Sequence, residues 1–144
     1  YGTFRSVCDD TYVRQLERLD VDIIAYQDEV GCLRMTPDES ERAFERLRKA
    51  HDRVPQRALW ADVETFAWEG PANRQTSPLI PAPFERIESQ LAAVSPYVDV
   101  ILVYQYQGLF RAPKSMAPSD HPDAERLYRE YRAWLEKHHP RCLR

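Results

Sequence analysis

The spacing of apolar residues changes period several times along the chain, and each change predicts a new element. Tyr12, Val13, Leu16 and Leu19 recur at helical spacing behind Asp9 and Asp10, so a short first helix capped by those aspartates is expected. Val21-Asp22-Ile23-Ile24-Ala25-Tyr26-Gln27-Asp28 is a β-branched run of strand length, ending in the polar, glycine-marked loop Asp28-Glu29-Val30-Gly31. Thr36-Pro37-Asp38-Glu39 then reads as a helix start, with Thr at the N-cap, Pro behind it and Glu placed to return the cap's hydrogen bond. That helix carries Ala43, Phe44, Leu47 and Ala50 on one stripe and runs to about Val54, where Pro55 stops it. A second strand is predicted from Ala58 to Phe66, followed by a long loop from Ala67 to Pro81 that holds Trp68, Asn73 and Arg74. Pro83 opens a helix with Phe84, Ile87, Leu91 and Val94 inward, ending near Ser95-Pro96. A third strand covers Val98 to Tyr106. An Asp120 cap then leads into a last helix through His138, with Leu127, Tyr131, Trp134 and Leu135 on its apolar side.

The order is one helix and then strand–helix three times, with every connection long enough to cross over. Such alternation predicts an α/β fold with parallel strands alternating with helices. Val21-Asp22-Ile23-Ile24 is faintly echoed by Val98-Asp99-Val100-Ile101. Three parallel strands make a small open sheet and cannot close a barrel by themselves. Residues 1–144 are expected to form one domain, or part of a larger one. The chain starts at Tyr1 with neither an initiator Met nor a leader, and it reads as a mature protein or a fragment.

The second strand puts charge where a strand rarely tolerates it. Alternate residues point to opposite faces. One face reads Leu59, Ala61, Val63, Thr65, small and mostly apolar, suited to lie under helices. The other reads Trp60, Asp62, Glu64, Phe66, two carboxylates between two aromatic rings. Burying a carboxylate without partners is costly. Either these groups meet donors and cations in a packed interior, or they line a wet functional cavity; the neighbouring strands favour the cavity.

Composition narrows the field only a little. Charged residues make up 30% and the net charge is −3, so the bulk balance gives no sign of nucleic-acid binding. No run of roughly 18 apolar residues is present, so no membrane span is predicted. Cys8, Cys32 and Cys142 have no metal-ligand spacing, and neither a histidine cluster nor a glycine-rich phosphate loop implies a metal or organic cofactor. A Cys8–Cys32 disulfide and buried free thiols both remain open. So does the compartment, secreted, periplasmic or cytoplasmic.

In parallel α/β folds, ligands collect at the carboxyl ends of the strands. This chain places Asp28-Glu29, Asp62 with Glu64, and Tyr104-Gln105-Tyr106 at its three strand ends. Trp60, Trp68 and Tyr26 add flat apolar surfaces nearby. Aromatic faces with carboxylates and amides suit a polyhydroxylated ligand, because sugar rings present C–H faces and hydroxyl edges. Two carboxyls flanking a glycosidic bond are also the working parts of most glycoside hydrolases. Strands lie about 4.8 Å apart, so Asp28 and Glu64 on neighbouring strands are within reach of the ~5–9.5 Å separations those mechanisms use. Duller readings stand beside each residue. Asp28 and Glu29 can cap a turn, Asp62 can pair with a cation, Trp60 can be core, and the phase of Tyr104 and Tyr106 is ambiguous. His51 and His121 have no ligand-like partners in sequence, and His138-His139 with the arginines of the tail are explained by solvent exposure.

Three strand-end motifs, Val21–Gly31, Leu59–Phe66 and Tyr104-Gln105-Tyr106, together resemble the latter half of a largely uncharacterised bacterial family of glycoside-hydrolase-like (β/α)8 barrels. The likeness runs from about Gly2 to Leu135. It implies that the strands are the sixth, seventh and eighth of a barrel whose earlier strands lie outside this chain. It further implies that Glu64 occupies the seventh-strand position of the nucleophile in retaining glycosidases of this fold, with the acid/base on an absent fourth strand.

The expectation is therefore glycoside hydrolysis by the parent barrel. Glu64 acts as nucleophile or base; Asp28, as an in-chain acid, or Glu29 assists or holds sugar hydroxyls. Asp62 tunes Glu64 by charge, and Trp60, Trp68 and Tyr104 form the sugar platform beside Gln105 and Tyr106. The partners are a carbohydrate and either the missing N-terminal half of the barrel or further copies of the chain, with neither nucleic acid nor membrane. The alternatives are a noncatalytic carbohydrate-binding or scaffold domain, and a barrel hydrolase for a non-sugar substrate.

Overall fold

The predicted alternation is present in a computed structural model, which describes residues 9–54, 57–70, 78–114 and 119–139. Helix α1 spans Asp9–Arg18, strand β1 Ile23–Gln27 and helix α2 Pro37–His51. Strands β2 (Ala58–Glu64), β3 (Phe66–Trp68) and β4 (Leu79–Pro81) follow, then helix α3 (Phe84–Val94) with a 3-10 turn at Ser95–Tyr97. Strand β5 (Val100–Tyr104) and helix α4 (Ala124–His138) complete the order. The three long strands form one parallel sheet in the order β1-β2-β5, while β3 and β4 make a separate antiparallel hairpin.

Local chemistry sets most of the boundaries. The Thr36 hydroxyl accepts the Glu39 N–H at 3.2 Å and the Glu39 carboxylate accepts the Thr36 N–H at 2.9 Å, the reciprocal cap expected of that tetrapeptide. Helix α2 ends at His51, short of Val54, because 52–54 turn back onto the last carbonyls. His51 is buried; its Nε2–H reaches the Arg57 carbonyl at 2.8 Å, leaving Nδ1 to accept from the Tyr12 hydroxyl at 3.1 Å. Helix α4 starts from Asp123, not Asp120, since Ser119 and His121 spend their side chains on the N–H groups of His121 and Asp123. Leu19, expected on the inner stripe of α1, lies past the helix end and is 44% exposed. Asp10, expected as a cap, pairs instead with Arg53 at 3.0 Å.

The second strand is shorter than its pattern suggests. It breaks at Thr65, whose N–H bonds the Tyr104 carbonyl at 2.6 Å while its hydroxyl donates to the Gln105 carbonyl at 3.0 Å. After that break Phe66, Ala67 and Trp68 pair with Pro81, Ile80 and Leu79. Phe66 therefore leaves the Trp60–Asp62–Glu64 row, and part of the long loop expected from 67 to 81 is a hairpin. Asn73 and Arg74 lie outside the described residues. The third strand likewise shrinks to Val100–Tyr104, leaving Gln105 and Tyr106 beyond its end.

One face of the sheet is packed and the other is open. Leu59, Ala61 and Val63 are fully buried beneath Tyr12 and Leu16 of α1, Phe44 and Leu47 of α2, and Ile87 and Leu91 of α3. Burying a leucine such as Leu59 stabilises by about 2 kcal/mol. The register stacks Ala25, Trp60 and Val100 in one row of the opposite face, and Gln27, Asp62 and Leu102 in the next. Ile23, Val100, Leu102 and Tyr104 on that face are each 40–44% exposed. Parallel sheets are ordinarily covered on both sides; among the described residues nothing covers this one.

Candidate active site at the carboxyl end of the sheet

Strands β1 and β2 end side by side, and a carboxyl stands at each end. Asp28 follows β1 and is fully buried. Its Oδ1 accepts the Glu64 N–H at 3.1 Å and, at the long limit of 3.4 Å, that of Val30. Its Oδ2 accepts from the Gln90 side-chain amide of α3 at 2.5 Å. Glu64, the last residue of β2, is 1% exposed, and its Oε2 accepts the Cys32 N–H at 2.7 Å. The two ends are thus interlocked: the side chain of one holds the backbone of the other, and the loop after β1 returns the bond.

Gly31 makes that closure possible. A Cβ at this position would lie 2.7 Å from the Phe66 carbonyl oxygen and 3.1 Å from the Glu64 Cβ, so the loop can lie against the strand end only without a side chain there. Glu29 precedes it in a left-handed conformation, φ 58°, and its carbonyl accepts the N–H groups of Leu33 and Met35. The Trp68 indole N–H donates to the Cys32 carbonyl at 3.1 Å and ties the hairpin to the same loop.

Burial dominates the electrostatics. It pushes the Glu64 carboxyl up to about 7; the neighbouring Asp28 charge adds to the rise, while the Cys32 and Gly31 N–H groups and the Arg86 guanidinium oppose it. Asp28 is pushed up to about 6 for the same first reason, with Gln90, the Glu64 and Val30 N–H groups and Arg86 pulling the other way. Arg86 itself is lowered by burial, and Asp28 and Glu64 act against that lowering. The Cys32 thiol, free and half-buried, is raised by burial and by Glu64 and Glu29; Cys8 and Cys142 lie outside the described residues. A carboxyl that titrates near 7 can both hold and release a proton at neutral pH, the property that acid–base catalysis requires.

The other expected site residues fall into three places. Trp60, Asp62 and Tyr104 lie on the open face; Asp62 is half-buried with its carboxyl raised by desolvation, and Tyr104 meets Phe66 edge-on at 6.2 Å. Trp68 belongs to the wall of a cleft of about 310 Å³ that Gly31, Arg34, Met35 and Arg86 also line, behind the loop that covers Glu64. Gln105 and Tyr106 turn away. The Gln105 amide bonds the Gln107 carbonyl at 2.7 Å, and Tyr106 stacks on Phe110 at 4.6 Å. Asp28 faces the α3 side and does not stand beside Glu64 as a second open carboxylate, because both of its oxygens are bonded within the interior.

Two residues escaped the sequence reading. Arg86 and Gln90 stand four apart on α3, in the phase of its apolar stripe, and polar groups at inward positions of an otherwise apolar face were the available signal. Among the described residues, no three His, Cys, Asp or Glu side chains gather as a metal site.

A parallel sheet backed by helices on one face, with its carboxyls grouped at the strand ends, belongs to the layout of (β/α)-barrel-like domains. Residues 3–117 match the family described as a domain of unknown function, DUF4434, and the chain belongs to that family. Its fold is similar to that of a Bacteroides thetaiotaomicron VPI-5482 protein provisionally named an alpha-L-fucosidase, with a TM-score of 0.65 and 22% identity. The match covers 89% of this chain and 35% of that one, so the chain spans about a third of the length of this neighbour. At that identity the likeness is one of fold. A comparison with curated proteins finds no match.

Proposed function

We propose that the protein is the C-terminal part of a bacterial, carbohydrate-active barrel that hydrolyses glycosidic bonds, with Glu64 as its working carboxyl. The observation that carries this reading is the buried carboxyl at the end of the central strand, pushed up to about 7 and anchored by a backbone N–H at 2.7 Å. Glu64 serves as nucleophile or base, and a second carboxyl comes from the remainder of the barrel. Asp62, Trp60 and Tyr104 on the open face hold the sugar, the rings against its C–H faces and the carboxyl on its hydroxyls. The uncovered apolar face and the outer edges of β1 and β5 support completion by further parallel strands of the same barrel. Substrate reaches Glu64 when the loop 29–32 uncovers it.

The burial of Glu64 also favours a second reading, a noncatalytic carbohydrate-binding domain in which both strand-end carboxyls serve structure alone. A panel of aryl glycosides, aryl α-L-fucoside among them, separates the two when offered to the complete protein and its Glu64→Gln variant. Hydrolysis by the parent and its loss in a folded variant support the enzyme. An inert parent that binds oligosaccharide equally well with and without the substitution supports the binding domain.

A further inference from the structure

Helix α3 sends two side chains into the point where β2 ends. Gln90 donates to the Asp28 carboxylate at 2.5 Å and to the Glu64 carbonyl at 3.0 Å. Arg86, one turn earlier, donates from the same Nη to the Glu64 carbonyl at 3.0 Å and the Phe66 carbonyl at 2.5 Å. The chain between those carbonyls is the break at Thr65, where the parallel strand gives way to the hairpin. We propose that Arg86 is a positioning residue for Glu64: by bridging the carbonyls on both sides of the break it sets the direction of the Glu64 side chain and holds a positive charge beside its carboxyl.

The surroundings argue that packing alone does not explain an arginine here. Its Nε is buried with no hydrogen-bond partner among the described residues, and so is the Gln90 Oε1. Buried polar atoms left unpaired are costly, and an apolar side chain at 86 would avoid that cost on this inner phase of α3. An apolar side chain, however, would supply neither the donor to the two carbonyls nor the charge. Lysine would supply the charge, but as a compact, strongly hydrated ammonium on a flexible stem. The charged and titratable groups that meet at this place are Asp28 and Glu64 from the strand ends, Glu29, the Cys32 thiol and Arg34 from the loop, and Arg86 from α3. Of the two cations, Arg86 is the one that favours the ionised forms of both Asp28 and Glu64.

This inference rests on Glu64 being the working carboxyl only for its effect on rate, so it is tested by direct titration. Carboxyl-labelled glutamate would be followed by NMR in the complete protein, its Arg86→Gln variant and its Arg86→Lys variant, with fold checked by amide dispersion. Arg86→Gln is expected to raise the Glu64 pKa by about one unit, a tenfold gain in proton affinity. Arg86→Lys is expected to hold it within about threefold of the parent. In the parent itself, the Arg86 guanidinium nitrogens should shift with the same midpoint as Glu64, a readout that needs no variant to fold. A folded Arg86→Gln protein with an unmoved Glu64 overturns the proposal. So does an Arg86 signal blind to that titration, or a lysine variant displaced as far as the glutamine one. Titrations that move as expected in a protein that hydrolyses no glycoside would sustain the positioning role and sink the proposed activity.

Discussion

Asp28 and Glu64 end neighbouring strands and are equally buried, yet they are held by opposite means. Asp28 spends both oxygens on the interior, on the Glu64 N–H and on the Gln90 amide, and so binds a strand end to a helix. Glu64 is held by the amides of a loop, and loop contacts open at lower free-energy cost than core ones. The difference suits the roles proposed for them: a carboxyl locked by core partners would order the site, whereas one closed over by a loop could be uncovered to do chemistry.

Substitutions and pH separate the two roles, and the largest effect is expected at Asp28. Asp28→Ala strands three donors, two of them firmly bonded, and should cost about 3 kcal/mol or more in chemical denaturation. A loss below about 1 kcal/mol would show that the interlock contributes little.

The pH dependence is next. Glu64 rises in the folded protein from its ordinary 4.5 to about 7, so the folded state binds its proton more tightly than the unfolded chain does. The associated stability is complete below about pH 4.5 and is lost as pH climbs through 7, on the order of 3 kcal/mol for this group. Asp28, raised from 3.8 to about 6, adds a slope of the same sign at slightly lower pH. Denaturation midpoints measured between pH 4 and 8 should therefore fall, and the Glu64→Gln variant should lose the upper part of that slope. A flat profile in the parent would contradict the burial argument.

Smaller effects probe the loop that covers Glu64. Gly31→Ala drives a Cβ toward the Phe66 carbonyl and should destabilise by about 1–3 kcal/mol while making the Cys32 amide exchange faster with solvent. Trp68→Phe removes the indole donor to the Cys32 carbonyl and should cost about 1 kcal/mol. If neither change alters exchange at Cys32, the loop is anchored by something other than these contacts.

Much of this arrangement was legible in the sequence, and what escaped has identifiable physical causes. The alternation of helix and strand, the Thr36–Glu39 cap and the placement of Glu64 at a strand end all follow from period and local chemistry, which act over a few residues. The break at Thr65 does not, because its acceptors are the carbonyls of Tyr104 and Gln105, some forty positions later. The alternation of β2 correctly set Leu59, Ala61 and Val63 beneath the helices, but it could not show that Phe66 would swing out to pair with Pro81. Asp28 and Glu64 looked like a facing pair since strand spacing alone would allow it. Their partners, Gln90 on one side and the Cys32 amide on the other, are set by packing between elements. Tyr106 illustrates the same limit: two residues past the end of the strand, it stacks on Phe110 instead of facing the cavity.

The most direct test sets the two carboxyls side by side: hydrolysis of the best aryl glycoside by the complete protein, its Glu64→Gln variant and its Asp28→Asn variant, each folded, across pH. The account predicts that Glu64→Gln loses roughly a thousandfold in kcat at every pH. Asp28→Asn should stay within about tenfold of the parent, with its pH profile shifted toward lower values because a like charge beside Glu64 is gone. A folded Glu64→Gln variant with undiminished rate, or an Asp28→Asn variant as inert as it, would contradict the assignment of Glu64 as the working carboxyl and Asp28 as its support.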